Sequence, residues 1–109
     1  MYLVTTYIDS SNGITAECSS FTNLFNAGMH FLEVIKKSMQ YDVPDSFMEK
    51  YQSFINQNEI GFDLEDDWAR MVLSRADHKV IFSFTNGDNF YFACKIFDTD
   101  IDKHFDLHY

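Results

Sequence analysis

Asp98-x-Asp100-x-Asp102 is a run of carboxylates at alternate positions. That spacing can converge on a hard cation, as the first three ligand positions of a calcium loop do. The rest of such a loop is missing: Lys103 stands where a turn glycine is needed, and Tyr109 where a bidentate Glu belongs. The run therefore reads as a solvated acidic tail. His104 and His108 are four residues apart. A helical tail would place both imidazoles on one face, a spacing used for zinc. Asp100 and Asp106 lie nearby in sequence, yet nothing completes the ligand set, so neither a metal nor any other cofactor is expected.

Covalent catalysis needs a Ser or Cys activated by a base. Cys94 sits between Ala93 and Lys95 in a strand-like run, and Cys18 precedes the start of a helical pattern, where a thiol pKa can be lowered. The chain contains no nucleophile elbow, no His-Glu-x-x-His pair and no dinucleotide fingerprint. With four glycines it has little material for a backbone phosphate nest. Both cysteines are expected as reduced, buried packing groups. Asp63, Glu65, Asp66 and Asp67 could divide acid and base roles if burial split their pKa values. Four acids so close together more commonly form an exposed, mutually repelling surface. The expectation is a protein that is not an enzyme.

Seventeen Asp and Glu against eight Lys and Arg give a formal charge of -9 over 109 residues, while 46% of residues are hydrophobic and twelve are Phe. An aromatic core of that richness excludes a disordered acidic tail. The acids are concentrated: residues 42–67 hold Asp42, Asp45, Glu49, Glu59, Asp63, Glu65, Asp66 and Asp67 against Lys50. Such a balance argues against direct nucleic-acid binding, which uses Lys and Arg on phosphates, and against anionic membrane surfaces. It suits the opposite role, in which spaced carboxylates occupy a groove built for phosphates. Those eight acids and Trp68 form the candidate partner-binding set, with Tyr41, Tyr51 and Tyr109 as further aromatic anchors.

The expectation is a small acidic inhibitor that engages a basic surface of a nucleic-acid-handling protein, in the manner of a DNA mimic. By size and charge alone it is comparable to phage anti-defence proteins, anti-CRISPR proteins among them. The alternatives are a toxin-immunity protein or antitoxin, a domain that self-associates through a Phe-rich sheet edge as a homodimer, and a small metal-binding enzyme. Met1 to Tyr7 lack a basic n-region and cleavage site, and no run of eighteen apolar residues occurs, so a cytoplasmic location is expected.

The elements that must hold these groups read as one α+β domain over 1–109. Tyr2 to Ile8 is β-branched and aromatic, Asn12-Gly13 supplies a turn, and a return strand runs to Cys18. Phe21, Leu24, Phe25, Gly28, Leu32, Ile35 and Met39 predict one face of a helix over about 22–40. Ser46-x-x-Glu49 matches a capping box for a second helix over about 46–58, with Phe47, Met48, Tyr51, Phe54 and Ile55 as its apolar stripe. Residues 62–76 fit helix or strand, with a strand favoured near 69–74. Val80–Phe84 and Phe90–Phe97 form a second hairpin around Asn86-Gly87. Apolar groups on both faces of its second strand predict a central position. The result is an antiparallel sheet, from hairpins 2–18 and 80–97, packed against two helices.

Overall fold

The computed structural model describes residues 1–38, 45–57, 59–65, 69–76, 78–87 and 89–99. Six strands and two helices occur in the order β1 (Tyr2–Ser10), β2 (Gly13–Phe21), α1 (Leu24–Ser38), α2 (Asp45–Asn56), β3 (Gly61–Glu65), β4 (Ala69–Ala76), β5 (Lys79–Asn86) and β6 (Phe90–Asp98). All six strands join one antiparallel sheet, ordered β2-β1-β6-β5-β4-β3. The α+β expectation holds, and so do both hairpins and the strand from Ala69.

Both predicted turns close where glycine permits it. Gly13 and Gly87 adopt φ of 120° and 55°, a region that side chains resist. After the helices the chain makes a four-stranded meander, β3 to β6, whose last strand returns to lie beside β1.

One face of the sheet is apolar along almost every strand. Val4, Leu73, Val80, Phe82, Phe84, Phe92, Cys94 and Ile96 are buried there beneath the helices. From α1 come Ala27, Phe31 and Ile35, and from α2 come Phe47, Tyr51, Phe54 and Ile55. Tyr51 is therefore not a surface anchor for a partner: it lies on the apolar stripe of α2 and is fully buried in the core. Phe82 is the hinge of this packing, with ring centroids 5.3 Å from Phe47 and 5.9 Å from Phe92. Such edge-on aromatic pairs add to the area term of burial.

Asn23 starts α1: its Oδ1 accepts the backbone N–H of Phe25 at 2.7 Å and of Asn26 at 3.3 Å. Two readings of the helices are corrected. The buried face of α1 runs through Ala27, Gly28, Phe31 and Ile35, which leaves Phe25 51% exposed. In addition, α2 begins at Asp45, so Ser46 lies inside the first turn instead of ahead of it. Met39, Tyr41, Asp42 and the tail from Asp100 to Tyr109 lie outside the described residues.

Candidate protein-binding surface

Strand alternation decides where the acids go. Phe62 and Leu64 of β3 pack on the core, so Asp63 and Glu65 project from the opposite, helix-free face, and both are exposed. Asp45 and Glu49 are exposed on α2, which lies against β3 on the helix side. Glu59 is half-buried in the connection from α2 to β3, where its Oε1 accepts the hydroxyl of Ser53 at 2.8 Å. The described members of the acidic set thus gather at one end of the sheet, around β3. They divide between its two sides and do not form one flat array.

Asp63 is also partly neutralised within the chain. The Arg70 Nε donates to both carboxylate oxygens, at 3.0 and 3.2 Å, and Nη2 closes on Oδ2. These hydrogen bonds hold the Asp63 carboxyl below its ordinary value and raise the Arg70 guanidinium, with a further contribution from Glu65 to the latter. Asp42, Asp66, Asp67 and Trp68 lie outside the described residues, as do His104 and His108. Of the alternating run, Asp98 is described, and it is buried at the end of β6. Among the described residues no group of three His, Cys, Asp or Glu is placed to hold a metal. Nor is any described helix long and apolar enough to cross a membrane.

The sheet face opposite the helices, which no described helix covers, is the surface that the sequence did not single out. Its cross-strand rows follow from the register. One runs Cys18, Thr5, Lys95, Ile81, Ser74, and the next Ala16, Tyr7, Ala93, Ser83, Val72, Asp63. Tyr7 and Tyr91 meet edge to face at 6.0 Å, over Ala93, and remain 38% and 40% exposed. A shallow hollow of about 500 Å³ opens between these rings, Lys95 and Cys18. The signal available in the sequence is the second apolar face of residues 90–97, which marks a central strand.

The cysteines separate here. Cys94 lies in the core, its Sγ 4.0 Å from the Thr6 hydroxyl, and burial pushes its thiol up to about 12. Cys18 is exposed on β2, which corrects its assignment as a packing group. Period-two alternation on an edge strand turns it outward, while the first buried side chain of that hairpin belongs to Val4. No protein-family model, no curated protein and no solved structure matches this chain.

Proposed function

We propose that this chain is a non-enzymatic, protein-binding inhibitor whose acidic β3 end docks on a basic, nucleic-acid-handling surface of another protein. The observation that carries the reading is the charge segregation. Asp45, Glu49 and Glu65 are exposed around one end of the sheet, and Asp66 and Asp67 follow β3 directly in sequence. Asp45 and Glu49 have no cationic partner among the described residues, whereas Asp63 shares its charge with Arg70. Carboxylates above and below a narrow sheet edge suit a partner groove that closes around that edge better than a flat basic plate.

Clustered charge of one sign accelerates encounter, and desolvated aromatics then set the lifetime of the complex. The test uses the protein retained from host lysate at low salt, purified and measured by binding kinetics. Association should slow steeply as salt rises. Asp45→Lys with Glu49→Lys should lower the association rate by about tenfold, with a smaller change in dissociation. An association rate indifferent both to salt and to this charge reversal would dismiss the reading.

A further inference from the structure

The two edges of the sheet are unequal. The β3 edge is five residues long and carries Asp63 and Glu65, the kind of short, charged border that prevents strand addition. The β2 edge is nine residues long, contains no proline and no lysine, and has Glu17 as its single charge. Its register with β1 runs unbroken from Tyr2 opposite Phe21 to Ser10 opposite Gly13. Residues 13–18 are all exposed, and no strand among the described residues pairs with this border. The two-residue turn Ser11–Asn12 closes on Ser10 and Gly13, which makes the odd residues of β2 the ones bonded to β1. Ile14, Ala16, Cys18 and Ser20 therefore direct their N–H and C=O groups outward.

We propose that this edge pairs, antiparallel, with the same edge of a second copy, so that two six-stranded sheets become one continuous sheet. Charge permits a second copy here, and a self-complementary register favours one. The chain carries -9 overall, so copies repel one another, but the repulsion depends on where they meet. At about 4.8 Å per strand the β2 edge lies about 24 Å from β3. That distance is about three Debye lengths at physiological salt. A two-fold at β2 sends both acidic ends to the far extremes of the assembly.

Register follows from the same reasoning. A two-fold normal to the sheet pairs residues that share a face, so an odd residue meets an odd one. Placing Glu17 on the axis opposes like charges directly, which destabilises a ladder. Placing Ala16 there sets Gly13 against Ser19 and Thr15 against Glu17, which gains little. Placing Cys18 there sets Thr15 against Phe21 twice, a β-branched and aromatic pair, and Glu17 against Ser19. Cys18 then faces Cys18, with directly opposed Cα atoms about 5.5 Å apart, inside the range a disulfide spans.

Sedimentation of the reduced protein at about 100 μM should show a dimer. Ala16→Lys and, separately, Ser20→Lys put a cation on each side of the paired ladder, and each should weaken self-association about tenfold or more with an unchanged circular dichroism spectrum. Glutathione disulfide should convert the wild-type dimer to a Cys18–Cys18 disulfide, two thiol protons and two electrons leaving as two glutathione thiols. Ala16→Lys should suppress that product. A wild-type monomer at this concentration overturns the proposal, and so does a dimer that both lysine variants leave intact. Faster cross-linking of Ala16→Cys in a Cys18→Ala background would overturn the register.

Discussion

Cys18 and Cys94 are alike in the sequence and opposite in the fold. Composition assigns both to packing because a thiol behaves as a small apolar group, and only the side of the strand on which each falls distinguishes them. A maleimide reagent near neutral pH is expected to label Cys18 at once and Cys94 only as the protein unfolds; equal rates would contradict the burial of Cys94. The same burial makes a pH prediction. The folded thiol ionises only near 12, so the unfolded chain gives up this proton first as the solution becomes alkaline. The stabilisation is complete below the ordinary thiol value, declines above it at about 1.4 kcal/mol per pH unit, and is exhausted at the folded value. Denaturant midpoints of wild type and Cys94→Ala should converge over that range, and a constant gap between them would refute it.

Gly61 illustrates how an element is held in place. A Cβ there would strike the Leu73 carbonyl oxygen and approach the Ser74 Cα to 2.9 Å, both backbone atoms of β4. Gly61→Ala should therefore pry β3 from β4 and lower stability by about 1–3 kcal/mol, measured by urea unfolding. Neutral behaviour would mean that the two strands are not so closely apposed. Of the six strands, β3 was the one hidden from sequence reasoning. Phe62 and Leu64 alternate with Asp63 and Glu65, but four residues also fit the first turn of a helix that continues through Met71 and Val72. What settles the matter is non-local: the Arg75 N–H donates to the Ile60 carbonyl at 2.7 Å, and β4 supplies the ladder. The long hairpins were legible because each is a pair of runs, with a β-branched or aromatic first strand, joined at Asn-Gly. In α1 the stripe was legible but not its rotation, since Phe25 and Phe31 are equally apolar and only the sheet chooses between them.

At the scale of the molecule, the aromatic core does what the composition implied. Phe82→Ala removes the ring that α2 and β6 share, and should cost about 3–5 kcal/mol. Tyr7→Ala, on the face opposite the helices, should cost clearly less; equal losses in urea unfolding would show that the sheet is packed on both sides. The acidic excess was legible as a stretch of sequence. Its division between two sides of a sheet edge was not, because that depends on the register of β3 against β4. One feature of the topology reaches beyond the folded state. The strands β1 and β6 are neighbours, and Thr99 donates to the Met1 carbonyl through both its N–H and its hydroxyl. Closing this sheet means bringing together segments separated by nearly the whole chain, the arrangement that makes domains fold slowly. On a ribosome the first hairpin must wait, its inner border unsatisfied, until the residues of β6 have been synthesised. The interval open to mispairing is then set by the speed of translation, and slow codons ahead of Phe90 would prolong it.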